Sequence, residues 1–193
     1  VKCQPRFKKE MGDVITKVGA PSAEFAVEVA GYPRPKVQWY INNTEINESK
    51  KEFVTSSEGD IHKLIINEIK EERSANYSCK LTNEYGSSSC SGKLIVYCKP
   101  KITKKLVDQK LKEGETLKLA VQITGTPDPQ IKWFKDGQEV SADARIKITR
   151  DSQRKESYDL TLNLLKGSDG GTYEVRAENE MGSVNCKSKV IVL

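Results

Sequence analysis

The stretch VEVAGYPRPKVQW, Val27 to Trp39, returns 94 positions later as VQITGTPDPQIKW, Val121 to Trp133. Three apolar residues alternate with polar ones before each corner: Phe25, Val27 and Val29 in the first copy, Leu119, Val121 and Ile123 in the second. Alternation of this kind predicts a half-buried strand. Gly-x-Pro-x-Pro then interrupts any ladder, and Val37-x-Trp39 or Ile131-x-Trp133 resumes it, so each copy reads as strand, corner, strand. A repeat this long describes two domains rather than an array of short units.

The chain has 193 residues, enough for two domains of just under 100, each burying its own core. We place them at residues 1–97 and 98–193. Hydrophobic residues make up 36% and charged residues 31%, which fits β-rich modules with wet outer faces. The net charge of +5 is interspersed rather than gathered on one face, which argues against nucleic acid as a partner. No apolar run approaches the roughly 18 residues of a membrane span, and VKCQPRFKKE at the N-terminus has no apolar signal segment.

The first domain reads as an extended segment at Pro5 to Phe7, then Val14 to Val18, a turn at Gly19 to Pro21, and a strand with Ala23, Phe25, Val27 and Val29 inward. Past the proline corner, Asn42-Asn43 suits a tight hairpin, and Asp136-Gly137 stands at the same offset. Leu64, Ile66 and Ile69 match Leu160, Leu162 and Leu165 at a spacing of 96, so the second domain carries two extra residues, expected near Arg150 to Ser157. Asp169-Gly-Gly-Thr-Tyr173 and the looser Arg73-Ser-Ala-Asn-Tyr77 each place a Tyr that can bury its ring and return its hydroxyl to the backbone. The last hairpins turn at Asn83-Glu-Tyr-Gly86 and Asn179-Glu-Met-Gly182, returning with Cys90, Leu94, Val96 and Cys186, Val190, Val192 inward.

In their order, the Trp, Gly-x-Pro-x-Pro, Tyr-corner and Asn-Glu-x-Gly elements resemble the intermediate-set (I-set) immunoglobulin domains of the giant muscle proteins, the titin, twitchin and obscurin group. The resemblance implies an all-β fold of two Greek-key sandwiches in tandem. It implies a non-enzymatic, load-bearing spacer and scaffold in the cytoplasm of the sarcomere, monomeric and free of cofactors. Its partners would be other sarcomeric or cytoskeletal proteins and neighbouring immunoglobulin or fibronectin-like domains, and a kinase could lie elsewhere in the parent chain. Load would pass through bonds between terminal strands, Val14 to Val18 beside Leu94 to Tyr97. Two alternatives remain: an adhesion-receptor ectodomain, and an actin-binding scaffold of the palladin kind.

In the family's extracellular members a disulfide joins positions that here hold Val27 with Cys79, and Val121 with Val175, so neither domain can form it. Such a bond stabilises by about 2–4 kcal/mol, and apolar burial must replace it. An odd count of five cysteines, with Cys3 and Cys98 at equivalent positions, suits a reducing compartment. Three glycosylation motifs point to secretion instead: Asn42-Asn-Thr44, Asn47-Glu-Ser49 and Asn76-Tyr-Ser78, of which Asn76 abuts the Tyr corner and is expected to take a glycan poorly.

His62, the single histidine, has no ligand-spaced Cys or carboxylate around it and reads as a solvated strand-edge residue rather than a metal ligand or base. The structural core is expected at Trp39, Trp133, Tyr77, Tyr173, Val27, Cys79, Val121 and Val175. Tyr97, Cys98, Lys99 and Pro100 form a linker with almost no spare length, and Pro100 stiffens it. Lys99, Lys101, Lys104, Lys105, Lys110 and Lys112 are a candidate patch for an acidic partner, or a set of lysines that blunt exposed strand edges.

Overall fold

The row Phe25, Val27, Val29 is buried, as its alternation requires, and so is the row Leu119, Val121, Ile123. The computed structural model describes residues 1–47 and 49–193, and their contacts divide into two compact units, Val1–Tyr97 and Cys98–Leu193. Apart from single 3-10 turns at Glu71–Arg73 and Gly167–Asp169, all described regular structure is strand.

Unit 1 contains β1 (Cys3–Lys9), β2 (Val14–Lys17), β3 (Ser22–Tyr32), β4 (Lys36–Ile41), β5 (Thr44–Glu45), β6 (Phe53–Glu58), β7 (Ile61–Asn67), β8 (Ala75–Asn83) and the first part of β9 (Gly86–Lys104). One sheet runs β1-β3-β7-β6; the other runs β9-β8-β4-β5, with β2 added beside β9. Unit 2 takes residues 98–104 of β9, then β10 (Gln109–Leu111), β11 (Leu117–Thr126), β12 (Gln130–Lys135), β13 (Gln138–Glu139), β14 (Ile146–Arg150), β15 (Ser157–Leu162), β16 (Gly171–Asn179) and β17 (Gly182–Val192). Its sheets run β14-β15-β11-β9 and β10-β17-β16-β12-β13. Each unit has its own apolar cluster, around Trp39 and Tyr77 in the first and around Trp133 and Tyr173 in the second.

The corner glycines are required by close approach. A Cβ on Gly31 would lie 3.1 Å from Cα of Pro5, and one on Gly125 would lie 3.1 Å from Cα of Pro100, so the first strand of each unit passes directly over the corner. At the hairpins, Asn42 and Asn43 have φ of 47° and 68°, while Asp136 and Gly137 have 48° and 84°, the left-handed pair that a two-residue connection needs.

The length difference between the copies is more than a single insertion. Phe53 pairs with Ile66 and Ile146 with Leu162, separations of 13 and 16 residues, so the β14–β15 hairpin gains three. Trp39 to Phe53 spans 14 residues and Trp133 to Ile146 spans 13, so one residue is lost before β14. The net two residues therefore hide a compensating deletion.

Candidate functional site

A patch of parallel pairing stands where the chain of each unit begins and ends. Val14, Ile15, Thr16 and Lys17 lie in parallel register with Leu94, Ile95, Val96 and Tyr97. The Val18 amide adds a bond to the Tyr97 carbonyl at 2.9 Å. In unit 2, Gln109, Lys110 and Leu111 pair with Val190, Ile191 and Val192, and the Leu193 amide donates to the Leu111 carbonyl at 2.7 Å. An aspartate locks each crossing. Asp13 accepts from the Lys93 amide and Asp108 from the Lys189 amide, both at 2.8 Å.

Two further ties fix the ends of the hairpin that feeds this clamp. The Tyr77 hydroxyl donates to the Arg73 carbonyl at 2.8 Å and the Tyr173 hydroxyl to the Asp169 carbonyl at 2.6 Å, with both rings fully buried. Burial pushes both phenols up to about 12. Asn83 donates to the Cys3 and Pro33 carbonyls, and Asn179 to those of Cys98 and Pro127. Each Asn thus joins the last hairpin to the first strand and to the proline corner. In sequence these two read only as turn residues; their identity at one offset in both copies was the available signal.

Trp39 pairs across the ladder with Cys79, and Trp133 with Val175, and all four are buried with Val27 and Val121. All five cysteines are free. Cys79 faces Cys90 across β8 and β9, and burial pushes the Cys79 thiol up to about 12. Among the described residues, no group of three His, Cys, Asp or Glu side chains is placed to hold a metal, and no helix is long and apolar enough to cross a membrane.

The four residues expected to link the domains all lie within strand β9, and two of them, Tyr97 and Cys98, have ladder partners. Tyr97 pairs with Lys17 in unit 1, while Cys98 pairs with Thr126 and Pro100 is buried against Gly125 in unit 2.

The six lysines are all exposed, but the fold does not gather them on one sheet. Lys101 and Lys104 lie on β9 beside β11, whereas Lys110 lies on β10 beside β17, because the chain changes sheets between Lys104 and Gln109. Both strands are edges of their sheets in unit 2.

His62 departs from its expected place. It sits on β7, between β3 and β6, opposite Val27 on one side and Ser57 on the other. It therefore continues the inward row of Leu64 and Ile66 and is half-buried. Burial, aided by the Arg34 charge and opposed by Asp60, holds its pKa below the ordinary 6.5. Asn76 is exposed, because strand alternation turns it away from Tyr77, so the steric objection to a glycan there fails. Asn42 is also exposed, with its side-chain oxygen accepting from the Asn76 amide at 3.1 Å. The central residue of the Asn47 motif, Glu48, lies outside the described residues.

The model of the immunoglobulin I-set domain matches residues 5–96 and 100–192. The chain belongs to the immunoglobulin I-set family. This I-set tandem is 28% identical over 177 residues to the Muscle M-line assembly protein unc-89 of Caenorhabditis elegans, covering 89% of this chain and 2% of that protein. It is 28% identical to the human SPEG neighbor protein, covering 92% and 73%, and 26% identical to mouse palladin, covering 98% and 14%. A solved Ig tandem of titin superposes with a TM-score of 0.73 at 27% identity, over 98% of this chain and 97% of that one. The I-set tandem is thus related to giant proteins of muscle and the cytoskeleton, of which it spans a small part.

Proposed function

We propose that the tandem is a load-bearing spacer and interaction scaffold of a giant muscle protein, working in the cytoplasm at the sarcomere. In this reading residues 1–97 and 98–193 fold as independent domains, Tyr97 to Pro100 form a junction without slack, and the partners are other sarcomeric or cytoskeletal proteins. The parallel pairing of Val14–Lys17 with Leu94–Tyr97 supports it best. Tension applied at the two ends of unit 1 draws these strands past one another, so their bonds are loaded together instead of one at a time. The absence of a cross-sheet disulfide suits a reducing compartment. Stretching single molecules by their ends tests the reading. Two discrete rupture events are expected, and a smooth extension would overturn it.

The six exposed lysines and the relation to palladin favour a second reading, direct binding to filaments. Neutralising the lysines is then expected to weaken F-actin cosedimentation more at low salt than at high. Unchanged binding ends that reading. Mass spectrometry of native protein separates both from an adhesion ectodomain: unmodified Asn42 and free thiols support the muscle reading, and an occupied Asn42 refutes it.

A further inference from the structure

On the outer face of unit 2, strands β12, β16 and β17 hold a carboxylate in place. Glu174, only 6% exposed, accepts from Nδ2 of Asn185 at 2.6 Å and from Nε and Nη2 of Arg176, both at 2.9 Å. The Arg176 guanidinium also lies 3.9 Å from the centre of the Phe134 ring. Phe134 pairs with Glu174 and Asn185 with Arg176, so these side chains form one patch of the sheet. Ring, cation, amide and the carboxylate they surround all belong to the same chain.

Unit 1 keeps this frame and lacks the carboxylate. In the same register Tyr40 stands for Phe134 and Ser78 for Glu174, while Lys80 stands for Arg176 and Ser89 for Asn185. Ring, cation and small polar donor are retained, and the acidic side chain becomes a short hydroxyl. An open groove of about 250 Å³ lies at this place, lined by Tyr40, Asn43, Ser78, Cys79, Lys80 and Ser89. Lys80 is exposed and has no ion pair among the described residues. Among the described residues, none that lines the groove is acidic. Glu45, on the edge strand beside Tyr40, already accepts from Gln38 at 3.0 Å.

We propose that this groove on the outer face of unit 1 receives a glutamate or aspartate side chain of a partner protein, which takes the place that Glu174 fills in unit 2. The ammonium group of Lys80 supplies the charge, and the hydroxyls of Ser78, Ser89 and Tyr40 and the amide of Asn43 supply neutral donors. Lys80 stands on β8, an inner strand of its sheet, so the partner lies across the face of the sheet and does not extend its edge. A lysine in place of arginine suits a site that a partner enters and leaves, because its ammonium is a point charge without the forked grip that Arg176 has on Glu174. The inference requires neither the load-bearing role nor the lysines at the start of unit 2.

The test is a titration of the nitrogen-15-labelled tandem, at low salt, with a blocked peptide of consecutive glutamates and separately with its glutamine counterpart. Amide NMR signals of Tyr40, Ser78, Lys80 and Ser89 are expected to shift saturably with the glutamate peptide and not with the glutamine one. Lys80→Gln should weaken that response roughly two- to fivefold, as removal of one exposed ion pair does. Ser78→Glu should weaken it further, since it returns to the groove the carboxylate that unit 2 carries there. The spectra of both variants report at the same time that unit 1 is folded. Shifts confined to residues 99–112, equal shifts with the two peptides, or a response undiminished in either variant would overturn the proposal.

Discussion

The hydroxyl of Tyr173 donates to the carbonyl of Asp169 at 2.6 Å, and the carboxylate of the same Asp169 holds Arg145 in an ion pair. One corner residue thus anchors a buried ring through its backbone and a neighbouring loop through its side chain. In unit 1, Tyr77 keeps the backbone bond while Arg73 supplies no carboxylate.

Removing a hydroxyl should therefore have opposite consequences at different tyrosines. Tyr173→Phe and Tyr77→Phe each strand a part-buried carbonyl and should cost about 1–3 kcal/mol in urea denaturation. Tyr158→Phe should be neutral or stabilising, because its buried hydroxyl has no hydrogen-bond partner among the described residues. A loss at Tyr158 equal to that at Tyr173 would contradict this.

Asp169 gives unit 2 a pH dependence of known sign. Burial raises its pKa, but the Lys166 amide and the Arg145 guanidinium together bring it below the usual carboxylate range. A folded pKa below the unfolded one contributes stability that is present above about pH 4 and lost as pH falls through the folded value. Asp169→Asn should cost about 1–3 kcal/mol at pH 7, and the gap from the parent should shrink below pH 4. A gap constant from pH 7 to pH 3 would refute it.

His62 adds a second window, in unit 1. Its folded pKa lies below 6.5, so the unfolded chain binds the proton more readily and unit 1 loses stability as pH falls below 6.5 toward the folded value. His62→Gln should flatten that slope between pH 7 and 5, measured in chloride buffer. An unchanged slope would show that the imidazole is not the group responsible.

Asn83 and Asn179 are predicted to outweigh every other residue of their turns. Asn179→Ala leaves the carbonyls of Cys98 and Pro127 without their shared donor, and should cost about 1–3 kcal/mol, while Glu180→Ala should change stability by less than about 0.5 kcal/mol. Equal effects would remove the clasp from the account.

Much of this architecture was legible because period-two patterning and turn chemistry are local. Val27 and Val121 declare their faces through their neighbours, and Asn42-Asn43 declares a hairpin through its tolerance of positive φ. His62 was misplaced although the same counting, Leu64 and Ile66 taken two residues back, assigns it inward; its polarity masked the pattern. Asn76 was misjudged for the converse reason, since adjacency to Tyr77 in sequence means opposite faces in a strand. The lysines could not be sorted, because the sheet change between Lys104 and Gln109 is a tertiary fact. The hairpin insertion looked like two residues because register, which only pairing reveals, hid the deletion before Ile146.

The central claim is that the parallel ladder of Val14–Lys17 on Leu94–Tyr97 bears the load in unit 1. Thr16→Pro tests it most directly, since proline removes a ladder donor while leaving the buried core intact. In force-extension traces of the tandem, the account predicts that one of the two rupture events drops sharply in force while the other keeps its parent value. Two events at unchanged force would contradict it.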